Sequence, residues 1–124
     1  QQLYLPLLQA ELFILPARYE PFGMTALEAM ACQVPAVLSK FSGIHENLTS
    51  GKDCLLIDPF NTDEYAEAII SLLSDRTSAQ SLAKAECETI RKEFSWEAIA
   101  EKHISFYEKF MSVETAEKEV QDTS

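Results

Sequence analysis

Positive charge is what this chain has least of. Ten lysines and arginines stand against twenty aspartates and glutamates, giving a net charge of −10. Acids outnumber bases in residues 1–60, in 61–111 and in 112–124 alike. No basic stripe exists, so nucleic acid is excluded as a partner. An anionic ligand must therefore rely on backbone N–H groups and a helix dipole, or on cations from elsewhere in the protein. Long apolar runs are missing too: none approaches the ~20 residues of a transmembrane helix, and no signal peptide is visible. Cys32, Cys54 and Cys87 are odd in number, far apart and set in apolar or helical contexts. That pattern argues against a disulfide framework or a zinc site and for reduced thiols in the cytoplasm. No internal repeat is present. The chain also lacks an initiator methionine and enters a helix-like segment at once, so it reads as a fragment.

What is present suffices for one small core, with 47% hydrophobic residues in 124. Gln1 to Gln9 suits a short helix if Pro6 lies in its first turn. Leu12 to Leu15, Ala36 to Leu38 and Cys54 to Ile57 are continuous apolar runs, as expected of parallel strands covered on both faces. Thr25 to Gln33 reads as a helix ended by Pro35, and Ile44 to Leu48 as a helical turn. Asn61 caps a helix carrying Tyr65, Ala68, Ile69, Leu72 and Leu73 at helical spacing. Ser78 to Glu93 forms a second such helix, with Leu82, Ala83 or Ala85, and Ile90 inward and the acidic run 86–93 as a solvated face. Ser95 opens a third, with Trp96, Ile99, His103, Phe106, Tyr107 and Phe110 on one stripe, read as packing. Residues 1–111 thus form a partial α/β domain, and 112–124 an acidic, disordered tail or linker. Successive β-then-α steps predict right-handed crossovers and a parallel sheet. Three strands would leave a buried strand at an edge, which supports the fragment reading.

The chemistry concentrates in Pro16-Ala-Arg-Tyr-Glu20-Pro-Phe-Gly-Met-Thr25-Ala-Leu-Glu28-Ala-Met-Ala31. Strand, glycine-bearing loop and helix N-terminus form the arrangement that binds anions at the carboxyl ends of parallel strands. A carboxylate accepts hydrogen bonds only, so Glu20 and Glu28 can each hold two adjacent hydroxyls of a sugar, at roughly 1.5–3 kcal/mol per bond. Gly23 permits close approach of the backbone, and the free N–H groups of residues 24–27 can meet a phosphate. Both glutamates have plainer readings. Glu28 completes a capping box with Thr25, and Glu20 is a solvated loop residue.

Pro16 to Pro35 resembles the Glu-x7-Glu signature of the family-4 retaining glycosyltransferases, which have the GT-B fold. Ser42-Gly-Ile-His-Glu46 is similar to that family's Gly-Gly-x-x-Glu turn, Gly51 to Pro59 to its glycine-to-Asp-Pro strand, and Thr62 to Leu73 to the helix that follows. About two-thirds of the chain is covered, and Glu20 to Cys32 is also similar to sucrose-phosphate and sucrose synthases. The resemblance implies the second half of a Rossmann-like C-terminal domain, strands four to six of the order 3-2-1-4-5-6. It implies a nucleotide-diphosphate sugar donor (UDP-, GDP- or ADP-hexose). Glu20 would be the catalytic-site residue on the donor hexose, and Glu28 would take the ribose hydroxyls. Phe22, Gly23, Met24, Thr25 and Gly43 would contact the donor. It further implies transfer with retention, no metal, no cofactor, and an acceptor bound through an N-terminal domain. Three positions depart from the pattern: Gln33 and Ser42 stand where the family has Gly, and Ala17 where it often has Ser. The family's diphosphate-binding Arg and Lys lie on earlier elements, so the chain alone is expected to be inactive.

Among other residues, Arg18 can reach a diphosphate or snorkel along the surface, and His45 adjoins the site. Two rival functions remain open to the residues alone. Glu20 and Glu28 can be the acid and nucleophile of a retaining glycoside hydrolase, which needs carboxylates about 5–5.5 Å apart. The fold can also serve as a non-catalytic interaction module that uses the aromatic stripe of the last helix.

Overall fold

The computed structural model describes residues 4–122; the side chains of Tyr4, Phe110 and residues 112–122 are outside the description. The chain divides into two units, Gln1–Arg91 and Lys92–Ser124.

The first unit holds three parallel strands, β1 (Phe13–Leu15), β2 (Ala36–Ser39) and β3 (Leu55–Ile57), in the spatial order β1-β2-β3. Their register pairs Ile14 with Val37 and Leu38 with Leu56. Each apolar run of the sequence became a strand, as its β-branched and aliphatic content dictates. The central strand is buried throughout, whereas β1 is only half-covered and leaves Ile14 38% exposed. The expectation that all three are covered on both faces therefore fails at both edges, for β1 and for Leu55 and Leu56 of β3, neither of which has a second strand partner among the described residues.

Helix α1 (Tyr4–Gln9) precedes β1 and keeps Pro6 in its first turn, where no N–H is needed. Helix α2 (Met24–Ala31) packs on β1 and β2, and α3 (Thr62–Ser74) packs on β2 and β3. Alternation along β2 sends Val37 into a cluster with Ile57, Tyr65, Leu72 and Ala79 of the α3 side, and Leu38 to the other face. Burying each such aliphatic side chain contributes about 1.5–3 kcal/mol. The α3 cap forms as its sequence requires: Asn61 Oδ1 accepts the Glu64 N–H at 3.2 Å, and Asn61 Nδ2 donates to Glu64 at 3.0 Å.

Helix α4 (Arg76–Phe94) starts two residues before the expected Ser78. Asp75 is the reason, since it accepts bonds from both the N–H and the hydroxyl of Ser78. Those bonds hold the Asp75 carboxyl below its ordinary range. One residue of α4 contradicts the solvated-face reading outright. Glu86 is fully buried, and both its carboxylate oxygens lie 3.1 Å from the Ala36 N–H. β3 begins opposite Val37, so Ala36 has no strand acceptor at that register, and Glu86 supplies one. Burial without a cation pushes its carboxyl up to about 9.

In the second unit, α5 (Trp96–Asp122) is capped by Ser95, whose hydroxyl accepts the Ala98 N–H at 3.1 Å. Without glycine or proline to break it, this helix includes residues 112–122, which show no periodicity in the sequence. Residues 123–124 of the expected tail lie outside the described residues. The stripe read as packing is exposed: Trp96 is 83%, Phe106 66% and Tyr107 62% accessible. A single helix within its unit has nothing to bury such a stripe against.

Candidate functional site

The site residues gather at the carboxyl ends of β1 and β2. Leu15 is the last residue of β1, and its carbonyl accepts the Tyr65 hydroxyl at 3.2 Å, which pins the strand end to α3. The loop that follows carries Glu20 and ends at Gly23, the N-cap of α2, in a left-handed conformation (φ 98°, ψ 45°). A Cβ there would meet Ile44, Ala26 and Glu20 at no less than ordinary contact distance, so the need for glycine is conformational. This changes the helix start. The helix begins at Met24 with no side-chain cap, so Thr25 sits inside the first turn and Glu28 in the second. The capping box does not form.

Two consequences follow for binding. The N–H groups of Met24, Thr25 and Ala26 have no intrahelical acceptor, and the Leu27 N–H is the first to close, on the Gly23 carbonyl at 3.2 Å. Those donors sit at the positive end of the helix dipole, which by itself stabilises an anion by about 0.3–1 kcal/mol. Glu28, released from capping, is half-buried and has no side-chain hydrogen bond or ion pair among the described residues. Glu20 is half-buried as well, and its Oε1 accepts the Phe22 N–H at a long 3.4 Å.

Gly43 joins this loop from the neighbouring strand end. A 3-10 helix (Gly43–Asn47) follows β2, and its first residues zip onto the Glu20 loop. The Gly43 N–H donates to the Glu20 carbonyl and the Ile44 N–H to the Phe22 carbonyl, both at 2.9 Å. A Cβ on Gly43 would collide with the Pro21 carbonyl, so glycine is required here by space. Ser42, where the resemblance has glycine, sits in ordinary extended backbone (φ −82°). It is fully buried, and its hydroxyl donates to the Ser39 carbonyl at 2.8 Å. At the far end of α2, Gln33 does adopt the left-handed conformation (φ 58°) that glycine prefers. The Gln33 and Val34 N–H groups close on Met30 and Ala29, a Schellman arrangement that satisfies the helix carbonyls.

Glu20, Phe22, Gly23, Met24, Thr25 and Gly43 are therefore neighbours around one loop and helix start, with Glu28 a turn further along α2. The nearby cations point elsewhere. The Arg18 guanidinium lies 4.9 Å over the Phe60 ring, and Lys40 pairs with Asp58 at 2.7 Å. That pair and the Phe60 N–H hold the Asp58 carboxyl below its ordinary range. His45 bonds through Nδ1 to the Ser42 carbonyl at 2.6 Å, inside its own turn. A cavity of about 400 Å³ lies at the opposite, amino end of the strands, lined by residues such as Leu8, Gln33, Leu72 and Arg76. Among the described residues no group of three or more His, Cys, Asp or Glu side chains is placed to hold a metal ion. None of their helices is long and apolar enough to cross a membrane.

Residues 1–89 match the family model for "Glycosyl transferases group 1". The chain is 40% identical over 106 residues to alpha-maltose-1-phosphate synthase of Mycolicibacterium smegmatis, covering 81% of this chain and 27% of that protein. Its fold superposes on sucrose-phosphate synthase of Thermosynechococcus elongatus with a TM-score of 0.71 at 34% identity, covering 84% of this chain and 26% of the other. HepE of Anabaena shares the fold at a TM-score of 0.75 and 23% identity, over 84% of this chain and 29% of HepE. The chain thus spans about a quarter of the length of these relatives. Its parallel sheet and flanking helices are those of a GT-B C-terminal domain, and the chain belongs to the group 1 glycosyl transferases.

Proposed function

We propose that this chain forms one wall of the donor site of a glycosyltransferase that moves hexose from a nucleotide-diphosphate sugar to an acceptor hydroxyl with retention of configuration. The observation that carries this reading is Glu28: a half-buried carboxylate without a partner, in the second turn of a helix whose first N–H groups are open. Glu28 accepts the two ribose hydroxyls, the N–H groups of Met24 to Ala26 meet the diphosphate, and Glu20 accepts hydroxyls of the hexose. The solved complexes of HepE with UDP and with UDP-glucose support a donor of this class, a UDP-, GDP- or ADP-hexose in this proposal.

In the reaction, the bond from the sugar's anomeric carbon to the diphosphate oxygen breaks as the acceptor oxygen bonds to the same face. The departing diphosphate takes the acceptor's proton. Glu20 contributes by holding the hexose where both oxygens can reach the carbon, a gain of orientation more than of charge. The acceptor and the cations that neutralise the diphosphate come from a second domain and from earlier elements, without a bound metal. Unpaired cysteines suit work in the reducing cytoplasm.

The test uses the full-length protein. Glu28→Ala should weaken binding of the nucleoside diphosphate on the order of a hundredfold, the equivalent of two lost charge-assisted bonds. Glu20→Ala should instead lower kcat, and a chelator should leave transfer unchanged. Unaltered nucleotide affinity in Glu28→Ala, with only thermal stability reduced, would refute the assignment. Measurable transfer by residues 1–124 alone would refute the half-site reading.

A further inference from the structure

The segment Ser39–Ile44 is built more heavily than a connector between a strand and a turn requires. Ser39 and Ser42 are both fully buried. Ser42 donates its hydroxyl to the Ser39 carbonyl at 2.8 Å, and Ser39 Oγ accepts the Phe41 N–H at 3.1 Å. The Ser42 carbonyl is held in turn by the His45 N–H at 3.0 Å and by the His45 ring. From this fixed base the Gly43 and Ile44 N–H groups reach the carbonyls of Glu20 and Phe22. Glu20 and Ser42 also pair as an isolated parallel bridge, separate from the β1–β2 ladder that ends at Leu15 and Leu38. Both sides of the Glu20–Phe22 segment are thereby tied to main-chain atoms of the next strand's loop.

We propose that Ser42 and Gly43 are positioning residues for transfer, acting through Glu20 and not by touching the donor. The proposal rests on the role of Glu20 given above. The Gly43 bond fixes the peptide plane that follows Glu20, and so the direction in which its carboxylate leaves the loop. A methyl at position 43 has to push the Pro21 carbonyl away, and the displacement passes to Glu20. Glu28 sits on the helix beyond Gly23 and is not part of this tie.

Kinetics of the full-length enzyme, with calorimetric titration of UDP, GDP and ADP, test it. In Gly43→Ala, kcat should fall about a hundredfold, the scale of a ~1 Å misplacement, while donor KM and nucleoside diphosphate affinity stay within about threefold. Ser42→Ala keeps the glycine and loses one buried bond; its kcat should fall roughly three- to tenfold at unchanged affinity. That variant decides the matter if Gly43→Ala does not fold. A donor KM that rises in step with the lost rate would overturn the proposal by making Gly43 a contact residue. Wild-type kcat in Ser42→Ala would overturn it by making the tie dispensable. Failure of the unaltered enzyme to bind any of the three nucleotides would instead remove the donor-site reading beneath it.

Discussion

The two ends of the three-stranded sheet are closed by opposite means. At the amino end, polar groups are consumed: Glu86 takes up the Ala36 N–H, and the Gln33 turn satisfies the last carbonyls of α2. At the carboxyl end, the loops are tied to each other by main-chain bonds, while the helix N–H groups and the Glu28 carboxylate stay open. A buried unsatisfied group costs about 1–3 kcal/mol, so groups left open must face water or a ligand. The difference therefore separates the end that holds the fold from the end proposed to bind the donor.

The sharpest way to probe the amino end is pH. Glu86 is raised from an ordinary 4.5 to about 9 by burial, so the folded chain keeps a proton that the unfolded chain has lost across that interval. Its contribution to stability is complete below about 4.5 and is lost as pH rises through about 9, at up to about 1.4 kcal/mol per pH unit. Urea midpoints of the wild type should fall between pH 6 and 9. Those of Glu86→Gln, neutral throughout and still offering an acceptor to Ala36, should fall less. Parallel curves for the two proteins would show that the carboxyl is not protonated in the fold. A smaller effect, of opposite sign, is expected at the same end. Gln33→Gly should stabilise the chain by about 1 kcal/mol in urea titration, because a non-glycine residue in the left-handed region costs roughly 1–2 kcal/mol. Smallest of all is Trp96→Ala in α5, which should move the melting temperature little (within about 0.5 kcal/mol), since the indole is 83% exposed. A large loss there would mean that the stripe is covered.

Much of the frame was readable because apolar runs and caps are local signals. The three strands, the Asn61 cap and the Ser95 cap depend on neighbours a few residues away. The capping box suggested by Thr25 and Glu28 does not form, because the left-handed backbone of Gly23 makes that glycine the N-cap, and a backbone angle has no side-chain signature. Glu86 was misread because its partner is 50 residues away. Its spacing from Ala79, Ala83 and Ile90 nonetheless put it on the buried face of α4, and that was the signal available. The clustering of the candidate residues around one loop was legible, because most of them lie within Glu20–Glu28. The tie between Gly43 and the Glu20 loop was not, since main-chain bonds between loops leave no side-chain signature beyond a glycine.

Because the Glu20 loop is held by its carbonyls, the side chains of Tyr19 and Met24 are under little structural obligation. Tyr19 and Met24 are exposed, and the two inter-loop bonds engage only peptide atoms. With the loop lining the donor site as proposed, substitutions at these two positions would retune what its rim recognises without loosening the frame that carries it. Selectivity and foldability are thus separable variables in this loop, which makes it the place where variants with altered ligand preference are to be sought.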